Sequence, residues 1–426
     1  MPTIEDHPLR YRLANELHAR PYPSMAPPCT AVFLAMQQPE ATAGPDPERD
    51  LQHLIALLDR HGAPHPPPGA THYSGRIGRH VLKWERHTEF VTYTAFSEGL
   101  GERAFDPVEF DVFPAQWLAR APGLRITSAL LRIVQRPEDG GIETALQDWF
   151  VPESLAVAEV LDGAGIAAGD FRIDPAGHLR FAVFAGPGTG ARRIGRLVQR
   201  LCEIETYKAM SMLGFAKARE MAGRIGDLDA QLTRLMTDMT GAAVSAEQTL
   251  HQLLAISAEL ETMAARTSFR FGATGAYEAI VGQRVQALRE TRFAGRPTFA
   301  EFMVRRYEPA MRTVQSTERR LQALADRAMR AGDLLRTRVD VERSAQNQAL
   351  LASMDRRADL QLRLQHTVEG LSVVAISYYA VSLVGYLLAP LAEVAELSKA
   401  TLTAIITLPV VALVWAMVRR IRKRLD

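Results

Sequence analysis

The sequence predicts an α+β membrane protein in three parts: an N-terminal cytosolic α/β domain, a long helical stalk of coiled-coil character, and a C-terminal hairpin of two transmembrane helices. Three observations carry this. Residues 371–391 and 400–418 are apolar over about the ~20 residues that a spanning helix needs. Residues 191–370 place apolar side chains at three- and four-residue steps. Residues 1–185 mix short β-like runs with helical ones and are dense in glycine and proline.

In the first part, "CTAVFLAMQ" (29–37) reads as a buried strand, and "DPERDLQHLIALLDRHG" as a helix with Pro47 in its first turn. The run "HGAPHPPPGATH" (61–72) has the composition of a surface loop. Strands are expected in "HVLKWERHTEFVTYTAF" (80–96) and "LRITSALLRIVQ" (124–135). A further pair is expected in "DFRIDPAGHLRFAVFAG", folded as a hairpin about "DPAG". Strand order is left open by the sequence.

The stalk begins near Ala191. "IGRLVQRLCEIETYKAM" sets Ile194, Leu197, Val198, Leu201 and Ile204 along one side of a helix. Helical composition holds over 191–267 and again over 277–370, and no proline falls between Pro309 and Pro390. At ~1.5 Å per residue, Ala310 to Gly370 would span roughly 90 Å. A helix that long and that polar needs partners, either neighbouring helices of 191–290 or other copies of itself.

The two apolar stretches are joined by "AEVAELSK", which forces a hairpin. Arg356, Arg357 and Arg363 precede it, and the basic tail 419–426 with "RRIRKR" follows it. The positive-inside rule therefore predicts a multi-pass membrane protein with both ends cytoplasmic. Inside the first span, Ser372, Ala375, Tyr379, Ser382, Tyr386 and Ala389 fall within an arc of about 100° at 100° per residue. Such a face either packs closely on a neighbouring helix or lines a wet path. Glu393 and Glu396 would stand at the outer mouth of that path.

The net charge of +2 over 426 residues gives no footprint for nucleic acid. The two cysteines, Cys29 and Cys202, have neither disulfide nor zinc spacing. No GxSxG or HExxH pattern occurs, so no enzyme and no cofactor is expected, and the sequence assigns no metal ligands. "GPGTGARRIGR" puts Arg192 and Arg193 in a first helical turn after a glycine-rich turn, which reads as a tight strand-to-helix connection rather than a phosphate loop. Glu85, His87 and Glu89 would share one face of a continuous strand, either as a solvated face or as a carboxylate–imidazole site. Arg10, Glu16, His18 and Arg20 crowd the N-terminal run as charge-assisted hydrogen bonders for docking or for a ligand.

The runs "HPLRYRLANELHARPYP" (7–23), "LKWERHTEF" (82–90) and "GRLVQRLCEIETYKAM" (195–210) together resemble a bacterial family of uncharacterised membrane-anchored proteins of unknown function. That resemblance implies membrane anchoring and implies no activity. The layout is also similar to the CorA-type metal-ion transporters, with a cytosolic α/β domain, a helical stalk, two membrane helices and a basic tail. Those transporters carry Gly-Met-Asn at the outer end of the first membrane helix, where this chain has Leu388-Ala389-Pro390. Two functions are thus expected in competition. One is a homo-oligomer passing divalent cations such as Mg²⁺ along Ser372, Tyr379, Ser382 and Tyr386. The other is a membrane-anchored scaffold or sensor that binds a cytosolic protein.

Overall fold

A computed structural model of the chain describes residues 4–11, 13–14, 23–39, 46–138, 140–238, 246–394 and 398–425, with the backbone alone over 391–394 and 422–425. The chain forms two compact units, Met1–Ala243 with His251–Ala331, and Val244–Leu250 with Gly332–Asp426.

Among the described residues, nine strands of the first unit form one mixed sheet: β1 (Cys29–Gln37), β2 (His72–Ile77), β3 (His80–Arg86), β4 (Phe90–Glu98), β5 (Leu124–Gln135), β6 (Ala156–Val160), β7 (Gly165–Gly169), β8 (Leu179–Ala185) and β9 (Thr291–Arg292). Their order is β2-β3-β4-β1-β5-β8-β7-β6-β9. β5 and β8 run parallel, and the other pairings are antiparallel. The helices are α1 (Pro47–Arg60), α2 (Ala115–Leu118), α3 (Gly141–Trp149), α4 (Ala191–Asp238), α5 (Ala246–Leu288), α6 (Phe299–Arg306), α7 (Glu308–Val394) and α8 (Lys399–Leu425).

Strand periodicity gives the sheet two different faces. Val32, Leu34 and Met36 of β1 join Trp84, Tyr93 and Leu130 in a core capped by α1, α2 and α3. α1 starts where the Asp46 carboxylate accepts from the N–H groups of Glu48 and Arg49, with Pro47 pre-set for the first turn. It buries Leu51, Leu54, Leu57 and Leu58 at helical spacing. Leu54→Ala would leave a cavity costing about 2–5 kcal/mol. His53 is buried in the same layer, stacked on Trp117 at 3.9 Å, with Nδ1 3.2 Å from the Tyr93 hydroxyl. The opposite face carries Ala31, Phe33, Leu131 and Phe181 and is covered by α4 through Ile194, Leu197, Val198 and Leu201.

Several elements depart from the sequence expectation. β1, β5 and the first helix stand where their patterns place them. The hairpin about "DPAG" forms between β7 and β8, but its first strand ends at Gly169 instead of running through "DFRI", because Asp170 is buried and holds 170–178 as a long loop. Its carboxylate takes the Arg180 guanidinium at 2.8 Å and the N–H groups of Val151 and Arg172 at 3.1 and 3.2 Å. α5 runs unbroken through 268–276, past Gly272 and Gly275. Tertiary contact stabilises that stretch: a side chain at Gly214 of α4 would meet Thr274 Oγ1 at 2.1 Å, so only glycine permits the approach. The strand-to-helix change at 185/191 is not where the first compact unit ends. α4, most of α5 and the start of α7 belong with the sheet, tied by pairs such as Arg320–Asp229 at 2.9 Å.

In the second unit, α7 and α8 each contain a stretch long and apolar enough to cross a membrane. The two helices approach each other at Gly385 of α7 and Ile406 of α8. Ser377, Ile406 and Val414 are buried there, and a side chain at Gly385 would touch Ile406 Cδ1 at 3.7 Å. Upstream of this seam, no residue between 340 and 370 is buried.

Candidate functional site

In-register antiparallel partners point to the same side of a sheet. Ser74 lies opposite Lys83 and Arg76 opposite Val81; Lys83 in turn faces Thr94, and Val81 faces Phe96. All six therefore lie on the face that α4 covers further along. The sheet is wider than the helix, so this face divides into a covered seam and an open margin.

The seam is polar where a helix–sheet core is ordinarily apolar. Lys83 Nζ lies 3.0 Å from Glu85 Oε2 and 3.0 Å from Gln199 Oε1. Gln199 Nε2 donates to Glu203 at 2.7 Å, and Arg284 Nε donates to Glu203 at 2.5 Å. The Lys83 and Glu85 side chains are only 8% and 11% exposed, so each charge depends on the other for solvation. A cavity of about 30 Å³ beside them is large enough for water. Cys202 lines it, and burial pushes its thiol well above the ordinary range, while burial takes the Cys29 thiol to about 12. Both stay protonated near neutrality and neither is an activated nucleophile.

The seam widens at both ends. At one end, His87 stacks on Phe90 at 4.4 Å, and Tyr207 meets Tyr277 at 5.5 Å around a recess of about 410 Å³. Behind it, the Tyr277 hydroxyl donates to Glu89 at 2.8 Å, and Arg270 pairs with the same carboxylate at 2.8 Å. Burial first, and then Glu89, push the Tyr277 hydroxyl up, so it remains a donor. At the other end lies a cleft of about 680 Å³ bounded by the segment Pro23–Pro28, the β2–β3 edge and the end of β4. Pro23 crosses α4 at Gly195, where a side chain would meet its carbonyl oxygen at 1.7 Å.

A family model described as a protein of unknown function (DUF3422) matches residues 5–425. The chain belongs to this family. No curated protein matches it.

The family brings no assigned residues with it, so the candidates rest on geometry. Glu85 and Glu89 do not share a strand face with His87, because β3 ends at Arg86 and residues 87–89 turn. Glu85 pairs with Lys83, Glu89 with Arg270, and His87 with Phe90, so the expected carboxylate–imidazole site is not assembled. Among the described residues no cluster of three or more metal-ligating side chains forms. Arg193 donates to the Leu161 carbonyl, which fixes the start of α4 and supports the structural reading of the glycine turn. Arg10 is exposed and pairs with Asp6, whereas Glu16, His18 and Arg20 lie outside the described residues.

In the second unit, Tyr379 and Tyr386 are 71% and 82% exposed, and Ser372 is exposed as well. Ser372 and Tyr379 stand roughly opposite Ser377 around the helix at 100° per residue, on the side away from that buried residue. Ser382 and Tyr386 border a lateral groove of about 750 Å³ whose other wall is Thr403 and Thr407. Glu393 lies in the last turn of α7 without a described side chain, and Glu396 lies outside the described residues. The sequence reading missed the Lys83–Gln199–Glu203–Arg284 chain, since its members are up to 201 positions apart and only the sheet brings them together.

Proposed function

We propose that this chain is a membrane-tethered homo-oligomeric scaffold or sensor, with the sheet unit as its cytosolic receptor module and no catalytic role. The observation that carries this is the exposed helix 340–370. A single helix with no buried residue over that length is not stable alone. Leu350, Met354, Leu364, Val368, Leu371, Ala375 and Ser382 share one heptad register, interrupted by Arg357 and Gln361. From Leu350 to Ala375 that register lies away from Ser377, the α7 residue buried beside α8. A second copy of α7 is the partner whose pattern matches, running from the water-exposed segment into the apolar span. The hairpin would sit in the bacterial inner membrane with both termini cytoplasmic, as the basic flanks favour.

Mass measurement of the detergent-solubilised chain tests the assembly. More than one chain per particle is expected, and Leu364→Asp with Val368→Asp should reduce it to one. A single chain in the unaltered protein refutes the proposal. Reporters at residues 1 and 426 should read cytoplasmic, and one near 396 external.

The outward turn of the stripe also favours a second reading, passage of divalent cations such as Mg²⁺. The Ser372 and Ser382 hydroxyls donate to the carbonyls of Val368 and Tyr378 at 2.8 and 3.0 Å, which leaves their oxygens as acceptors. Glu393 and Glu396 would gather cations at the outer mouth. Flux into proteoliposomes decides it: Ser382→Leu and the pair Glu393→Gln/Glu396→Gln should each abolish uptake. An unaltered protein that passes neither Mg²⁺ nor Co²⁺ leaves the scaffold reading alone.

A further inference from the structure

The open cleft beside α4 has the chemistry of a ligand site. Its volume, about 680 Å³, lies in the range of sites that enclose small organic molecules. Its floor is apolar, with Met25, Pro27, Pro28, Val81 and Phe96. Val81 is 44% exposed, an apolar side chain that the described residues leave uncovered.

The polar groups gather at one margin. Arg76 projects from β2 and makes no ion pair among the described residues. Arg79 sits in the β2–β3 turn, and its Nε donates to His80 Nε2 at 3.4 Å. An arginine can only donate, so His80 must accept at Nε2 and carry its proton on Nδ1. Nδ1 then donates to Ser97 Oγ at 2.5 Å. Ser97 and His80 alternate with Phe96 and Val81 along their strands, so this hydrogen bond lies on the face opposite the cleft floor and fixes the turn that carries Arg79. Burial, with Arg79 and His61 nearby, lowers the His80 pKa and favours this neutral tautomer. Lys83 at the inner end is already neutralised by Glu85. The balance at the margin is two guanidinium groups against the Glu98 carboxylate.

From this arrangement we infer that the cleft binds a small organic anion, a carboxylate or phosphate monoester on an apolar body. The Arg76 and Arg79 guanidinium groups hold the head group, and Val81 and Phe96 hold the body. Planar guanidinium groups suit both kinds of oxyanion. The inference rests on the sheet unit being a receptor module and supplies the class of ligand.

The test uses the full chain in lipid nanodiscs, titrated calorimetrically with octanoate, octyl phosphate, octylamine and octanol. Empty nanodiscs provide the background for partition into lipid. Saturable binding of one octanoate or octyl phosphate per chain is expected, with octylamine and octanol at background. Whichever anion binds more tightly identifies the head group. Arg76→Ser/Arg79→Ser should weaken the anion at least thirtyfold. Unfolding temperature and particle mass are recorded for each variant. A folded double variant that binds as tightly as the unaltered chain overturns the inference, as does octylamine binding as tightly as octanoate. If neither anion binds while the chain is still membrane-retained and oligomeric, the ligand assignment falls and the scaffold reading survives. Loss of oligomerisation in the unaltered chain removes the scaffold reading instead.

Discussion

Lys83–Glu85 in the sheet unit and Arg343–Glu247 in the second unit are the same kind of pair in different surroundings. The first spans 3.0 Å with side chains 8% and 11% exposed; the second spans 3.4 Å with side chains 69% and 61% exposed. Removing one partner of the first strands a charge in a low-dielectric seam, whereas water takes over for the second. The sheet unit thus spends its charges on specifying how α4 lies against β3. The exposed helix of the second unit carries charges that water solvates and that do not specify its packing.

The comparison can be broken first at Asp170, the fully buried carboxylate of the sheet unit. Asp170→Ala leaves Arg180 and two N–H groups without their acceptor, and denaturant unfolding should show a loss of about 3–5 kcal/mol. Next is Gly214→Ala, which forces α4 away from Thr274 of α5; overpacking of this kind costs about 1–3 kcal/mol. A smaller effect follows from His53 and His178, both lowered chiefly by burial. A depressed histidine is stabilising only while neutral, so the folded state binds fewer protons than the unfolded one. Unfolding temperature should hold above the unfolded value of about 6.5 and fall as pH drops below it. A flat profile between pH 7 and 5 would mean that these imidazoles are hydrated. Last, Arg343→Ala should change unfolding by less than about 0.5 kcal/mol. A larger loss would show that this exposed pair is covered in the assembled protein.

How much was legible follows the same division. β1 could be read because "CTAVFLAMQ" is nearly continuous in apolar residues, and α1 because Asp46-Pro47 marks its start. β6 "AVAEV" and β7 "GIAAG" were missed because alanine and glycine carry little strand signal; pairing with β8 makes them strands. The two apolar helices were plain from composition. Their seam was not, since Ser377 belongs to neither the polar stripe nor the bulky apolar side, yet it is the α7 residue most deeply set against α8. At the candidate site, Arg76, Val81 and Phe96 sit on three separate strands, and only the register brings them to one face.

The two-residue β9 has a consequence for synthesis. β6 has β7 on one side, and its other edge is closed by Thr291 and Arg292, about 130 positions later in the chain. The same connection continues into α6, whose first N–H groups are held by Glu290 at 2.9 Å. At about 5–20 residues per second, a ribosome needs roughly ten seconds between finishing β6 and supplying its last partner. Through that interval the nascent chain displays an unpaired strand edge, the surface by which β-sheets join strangers. α4 and α5 are made during the same wait, and α4 packs on β5 and β8, leaving the β6 edge to Thr291 and Arg292.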